Sequence, residues 1–378
     1  MRKAIIWSAA ICGTLLAGAL VCVRAGNAAL PAQTSSQASS QVENDLREFA
    51  GIQPIDTHTH AFHEAPLFYS MMQRLDLRVL DICVADSYRI FRPLAEEKAD
   101  ARKFIAGSGG RAQFCTTFDP FPFEKPGYSR RAVAQLNRDF AKGAVAVKIW
   151  KNVGMQIQKS DGSYLMPDDA VFSPIYDDIA AHGKTLIAHL AEPSSCWEPP
   201  NPASPDYGYY KDNPEWYMYL HPEKPKKETI LAARDRVLAE HPQLRVVGAH
   251  LGSMETDLDE IARHFDRYPN FAVDTAARME YLMMQPREKA RAFLIKYQDR
   301  VLYGTDDTFL IEDKPADAVK DWQDTYARDW AFLATDQILE LRDKEVRGLA
   351  LPRPVLQKIF HDNAIQWIPG VAGHSQQQ

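Results

Sequence analysis

Neither sign of charge dominates this chain: 44 lysines and arginines stand against 50 aspartates and glutamates, for a net charge of -6. No basic face is implied, and that excludes the electrostatic footprint of a nucleic-acid partner. Cysteine is scarce, with five in 378 residues. Cys12 and Cys22 fall in an N-terminal leader. The remaining Cys83, Cys115 and Cys196 do not make a disulfide framework, and the first two read as small buried hydrophobes. No internal repeat and no heptad pattern is present. The one long apolar run is at the N-terminus.

There Arg2 and Lys3 precede an apolar stretch from Ala4 to Val23, followed by small residues, AGNAA. A basic start, an apolar middle and small residues at a cut site read as a secretory signal peptide over residues 1–28, cleaved after Ala28. Left uncleaved, the stretch approaches the roughly 20 residues that span a bilayer and would act as an N-terminal anchor. Val21 before Cys22 is bulkier than the residue a lipoprotein site carries. The polar PAQTSSQASSQ (31–41) reads as a flexible tether, within a linker set at 29–47. The expected location is secreted or periplasmic, with membrane contact only if the leader stays attached.

The rest has ordinary globular composition, 46% hydrophobic and 25% charged. It is long enough for one large α/β domain, set at residues 48–370, with a polar tail at 371–378. Short apolar runs recur at 54–62, 77–86, 112–120, 144–150, 184–192, 244–252, 270–277 and 300–308. Most are near-continuously apolar, as strands buried on both faces should be. The stretches between them are long enough for crossover helices, 255–269 being a clear case. Eight such units predict a (β/α)8 TIM barrel, with extra helices over 315–348 and 353–368.

Barrel sites form at the C-terminal ends of strands. His58, His60, Lys148, His189, His250, Asp274 and Asp306 all sit late in their runs. His58 and His60 are two apart, so on a strand they share a face and aim at one point. Each of these groups is expensive to bury unpartnered, and a shared metal would satisfy them together. Imidazole and carboxylate donors suit Zn²⁺. Asp306 is expected to move the proton of a metal-activated water, and His250 to stabilise the oxygen that gains charge. Asp307 faces the opposite way if the strand continues.

IDTHTH at 55–60, the isolated His189 and His250, GTD at 304–306 and FHDNAIQWI at 360–368 together resemble the amidohydrolase superfamily, in its amidohydrolase-related or type 2 branch. The resemblance runs from about Gln53 to the C-terminal helix. It implies a barrel of the metal-dependent hydrolase type. It also implies a divalent metal, commonly zinc and one or two ions, on His58, His60, His189 and Asp306. His250 then binds a second metal in a binuclear site or polarises the substrate. Lys148 stays open between a carbamate bridging two metals, an ammonium holding a substrate carboxylate, and a satisfied structural lysine. Lys151, of opposite parity, is expected in solvent.

Arg278 either clamps a substrate carboxylate or pairs between neighbouring loops. Trp150 and Trp197 are expected as further substrate contacts. The segment 193–227 is dense in proline and aromatics, and it reads as a lid over the site or as a dimer contact. The expected activity is hydrolysis of a C–N or ester/lactone bond in a small organic substrate. Non-oxidative decarboxylation of an unsaturated or aromatic acid is the alternative, and a non-catalytic metal-binding exported protein is a third reading. A homo-oligomer is left open.

Overall fold

The computed structural model describes residues 35–86 and 92–373. The leader at 1–28, linker residues 29–34 and tail residues 374–378 lie outside the described residues. Each apolar run forms a strand: β1 (Ile55–Ala61), β2 (Arg78–Ile82), β3 (Ala112–Thr117), β4 (Ala144–Ile149), β5 (Thr185–Ala188), β6 (Arg245–Gly248) and β7 (Phe271–Asp274). The eighth run is split into β8 (Val301–Leu302) and β9 (Asp307–Phe309). All pair in parallel, in the order β8-β7-β6-β5-β4-β3-β2-β1-β9. The sheet curls until its two ends meet in one chain segment. There Tyr303 O accepts from Thr57 N, and Asp306 N donates to His58 O. A TIM-type barrel results, with helices around it.

The barrel interior is divided by chemistry. Its lower half is apolar: Leu80, Ile82, Cys115, Ala146, Ile187, Val247, Ala272 and Leu302 are all fully buried. The C-terminal segment plugs this end with Trp367, Ile368 and Val371. The upper half holds the polar side chains. On β1 the switch between halves needs an irregularity. Asp56 pairs with Val79 and Thr59 with Asp81, so three steps on β1 match two on β2. This bulge lets Ile55 join the apolar interior while His58 and His60 still point inward.

Three expectations are corrected. The linker placed at 29–47 is helical from Ser35, in a helix that runs to Ala50. Its Phe49 stacks on Tyr326 at 5.0 Å and meets Phe360 edge-on at 5.6 Å. Burying that ring makes the segment part of the fold rather than a tether. The helix expected over 315–348 ends at Ala334. After it, Ile338–Leu341 and Lys344–Arg347 form an antiparallel hairpin around Arg342 and Asp343, both at positive φ. The two positive φ values match the strand twist of a tight hairpin, which a helix cannot contain. The polar tail begins later than residue 371, since Val371 is fully buried in the barrel plug. The second expected helix, 353–368, is present as Arg353–Gln357, a π-turn at Lys358–Asp362, and Asn363–Trp367. No helix of the described residues is long and apolar enough to cross a membrane.

Replacing Phe49 by alanine should cost about 3–5 kcal/mol of unfolding free energy in denaturant titration. A tethered segment would show no such loss.

Candidate metal centre

His58 and His60 lie on β1, Lys148 on β4, and His189 directly after β5. Asp274 ends β7, His250 follows β6 by two residues, and Asp306 lies in the gap between β8 and β9. His250 and Asp306 have φ of 59° and 70°, a left-handed backbone that side-chain-bearing residues seldom adopt. Hydrogen bonds hold both in place. The His250 amide donates to Asp274 Oδ1 at 2.8 Å, and the Asp306 amide donates to His58 O at 2.8 Å. Asp56 secures the same corner from outside the ring. It accepts from the Thr305 hydroxyl at 2.7 Å, the Thr305 amide at 3.1 Å and Tyr326 Oη at 3.1 Å. Burial nonetheless pushes the Asp56 carboxyl up to about 7.

The imidazoles have defined roles. His58 Nδ1 donates to Asp274 Oδ2 at 2.8 Å, His60 Nδ1 to Ile82 O at 2.7 Å, and His250 Nδ1 to Ala276 O at 2.9 Å. In each ring the Nδ1 proton is thereby committed, and Nε2 presents a lone pair. Burial lowers the His58 pKa, and it drives His189 and His250 well below the usual imidazole value. Burial also acts to raise Asp306, but the surrounding His250, His60 and His58 hold it well below the carboxylate range. His58 Nε2 and His60 Nε2 lie 3.4 and 3.3 Å from Asp306 Oδ1. Lone pairs facing a carboxylate oxygen repel unless a positive charge sits among them.

That arrangement fits a divalent cation. One ligand atom each from His58, His250 and Asp306 falls within 4.8 Å of the others. His189 Nδ1 is 3.1 Å from His250 Nε2, while His189 Nε2 is buried with no hydrogen-bond partner. A buried nitrogen left in that state is costly unless something binds it. The structure thus gathers His58, His60, His189, His250 and Asp306 at one mouth. Its tightest three-residue group contains His250, where the resemblance put His60 and His189. His250 Nδ1–H is committed to Ala276 O, which leaves its Nε2 as the atom that faces the mouth.

Lys148 Nζ is 2.9 Å from His58 Nε2, and burial lowers it to about 8. Arg278 lies 3.8 Å from Asp206 and 4.0 Å from Glu192, the loop-to-loop ion pair rather than an open clamp. Trp150 meets His189 edge-on, with ring centroids 6.5 Å apart. Trp197 packs within the covering segment and donates to Pro225 O at 3.3 Å. That segment is ordered in short turns at Ser194–Trp197, Tyr207–Asp212, Pro214–Trp216 and Met218–Leu220. Its Trp216 is fully buried, 5.2 Å edge-on from Trp150.

The solvent-exposed Lys151 expected from strand parity is corrected. The strand ends at Ile149, so parity no longer applies, and Lys151 is 3% exposed. Its ammonium pairs with Glu192 and donates to Tyr209 Oη at 2.7 Å. Glu192 is a functional neighbour that sequence reasoning missed. Its Oε1 reaches within 4.0 Å of His189 Nε2 across a turn in which Ala191 has φ of 64°, and spacing alone does not reveal such a turn.

Asp274 orients both His58 and the His250 backbone, so Asp274→Asn should weaken zinc binding about 10- to 100-fold in equilibrium dialysis. Unchanged affinity would remove it from the centre.

Among solved structures, the 2,6-dihydroxybenzoate decarboxylase from Rhizobium is 14% identical, with a TM-score of 0.47 over 83% of this chain and 98% of that one. A dihydroorotase from Campylobacter jejuni is 11% identical, with a TM-score of 0.43 over 83% and 82% of the two chains. An amidohydrolase from Burkholderia multivorans with bound zinc is 12% identical, with a TM-score of 0.45 over 83% and 98%. No curated protein matches the chain. The amidohydrolase family model matches residues 55–369, the whole barrel from β1 to the C-terminal plug. The chain belongs to the amidohydrolase family.

Proposed function

We propose that the protein hydrolyses a C–N, ester or lactone bond in a small organic substrate. The observation that carries this reading is the environment of Asp306. Its side chain is 28% exposed at the mouth, while those of His58 and His60, 3.4 and 3.3 Å away, are almost sealed. A carboxylate kept ionised by its neighbours and open to solvent on one side suits a base that meets water.

A divalent ion, zinc by the chemistry of the donors, would be held by His58, His250 and Asp306 and would supply a Lewis acid for the scissile carbonyl and for water. The remaining work falls to the chain. Asp306 takes the proton of the attacking water and delivers it to the departing nitrogen or oxygen. The hydroxyl ends on the acyl carbon and the proton on the leaving group, so the bond is split by one water. Asp274 fixes the ring of His58, and the β1 bulge sets His58 and His60 on one side of Asp306.

Decarboxylation is the less favoured reading. It calls for a cation to hold the substrate carboxylate. The two expected to do so are engaged, Lys148 on His58 and Arg278 between Asp206 and Glu192. We also infer export, from the 1–28 leader alone.

The zinc-loaded protein should hydrolyse at least one of p-nitrophenyl acetate, an aryl lactone and a p-nitroanilide, placing one oxygen of labelled water in the product acid. Carbon dioxide release from an aromatic acid without label incorporation would overturn the hydrolase reading. Asp306→Asn should lower turnover by about 10²–10⁴ while most of the zinc stays bound, read by metal analysis beside the rate. Near-normal turnover would take Asp306 out of the reaction.

A further inference from the structure

The proton of His189 has two places to go, and the neighbours of the ring decide between them. Its Nδ1 is 3.1 Å from His250 Nε2, and its Nε2 is 4.0 Å from Glu192 Oε1. A neutral imidazole carries one proton. Burial drives the pKa of both rings down, which disfavours a second. With the proton on Nδ1, His189 donates to His250 Nε2, and its own Nε2 turns a buried lone pair toward a carboxylate. No described residue gives that nitrogen a hydrogen bond. With the proton on Nε2, the N–H faces Glu192, and the lone pairs of His189 Nδ1 and His250 Nε2 meet at 3.1 Å. The His250 proton is committed to Ala276 O, so that ring does not relieve the clash. Such a pair is repulsive alone but suits two ligands of one cation, since nitrogens on a tetrahedral zinc stand about 3.4 Å apart.

Glu192 is built into its place. Ala191, at a φ of 64°, turns the chain so that residue 192 reaches a ring three residues earlier. The glutamate is 3% exposed. Lys151 pairs with its Oε1, Tyr210 Oη donates to its Oε2 at 3.4 Å, and Arg278 lies 4.0 Å from the same Oε2. Lys151 is itself held, donating to Tyr209 Oη at 2.7 Å. One carboxylate oxygen accepts two hydrogen bonds, so Oε1 serves both Lys151 and a proton on His189. Sinking a carboxylate this close to the centre is costly unless its charge is used.

We propose that Glu192 is a positioning residue for the metal centre: it draws the His189 proton to Nε2 and so makes His189 bind through Nδ1, where His58 and His250 present Nε2. The proton moves within one neutral ring, from Nδ1 before an ion binds to Nε2 afterwards, so none is released at this residue. A carboxylate behind a ligating imidazole fixes the ring and strengthens it as a donor to the ion. The assignment rests on the divalent ion of the proposed function and not on the reaction that the ion serves.

The test uses the full chain with isotope-labelled histidine. Nitrogen NMR of the wild type should show the His189 proton on Nδ1 without zinc and on Nε2 with zinc. Glu192→Gln keeps the size of the side chain and an oxygen for Lys151 but loses the charge. It should bind zinc about 10- to 100-fold more weakly in equilibrium dialysis, while the zinc-free variant unfolds near the wild-type midpoint. A merely structural role would lower that midpoint and leave zinc affinity unchanged. The tautomer is read in the wild type, so it decides the matter even if the variant folds poorly. A zinc-loaded wild type with Nδ1 still protonated overturns the proposal, as does wild-type zinc affinity in Glu192→Gln. If the wild type binds no zinc, the metal centre and this assignment fall together. If it binds zinc and hydrolyses nothing, the hydrolase reading falls alone, and the same measurements still decide the role of Glu192.

Discussion

One carboxylate organises the mouth of this barrel. Asp274 gives one oxygen to the ring of His58 and the other to the backbone amide of His250. It therefore fixes the tautomer of a side chain on β1 and stabilises a left-handed backbone after β6. Neither histidine would keep its direction without it. The His58 ring would be free to turn, and a strained φ of 59° would have one fewer bond to oppose its relaxation. The group is buried, and burial alone acts to raise its pKa. Its bond to His58 and the nearby His250 and Lys148 bring it below the usual carboxylate value, so it remains an acceptor for both partners.

The second constraint is the repulsion this order creates. Committing the Nδ1 protons of His58, His60 and His250 to outer partners leaves Nε2 lone pairs and the Asp306 carboxylate facing one another. Desolvation lowers the pKa of His58 and His250, so protonation of those two rings is not an inexpensive remedy. A cation at their centre resolves the conflict, and the fold has arranged for little else to do so. The Lys148 amine, 2.9 Å from His58 Nε2, is the chain's own partial answer.

Much of this was legible in the residues. Buried parallel strands cannot be other than apolar, so all eight runs announced themselves, and polar side chains at their ends marked the face that does chemistry. The pair His58 and His60 followed from a two-residue period. What escaped lies where that period breaks. The bulge in β1 changes which residues point inward without any mark in the composition. Lys151 was assigned by parity beyond the last residue of β4, where parity no longer holds. The helix from Ser35 was hidden because its polar, serine-rich start looks like a tether, and only the distant Phe49 carries its packing. Glu192 is tied to the centre by a tertiary contact across a strained turn, and no local spacing encodes that.

Ring closure has a further consequence. Asp56 and Thr305, which are hydrogen-bonded, stand 249 residues apart along the chain. The strand that bears the first histidines must wait for the one that bears Asp306 before either is held. During synthesis, no shortened product leaving the ribosome can possess the pocket, and uptake of any ion there would be among the last events of maturation. Prematurely terminated chains would therefore be inert and would also expose unpaired strand edges, which marks them for proteolysis.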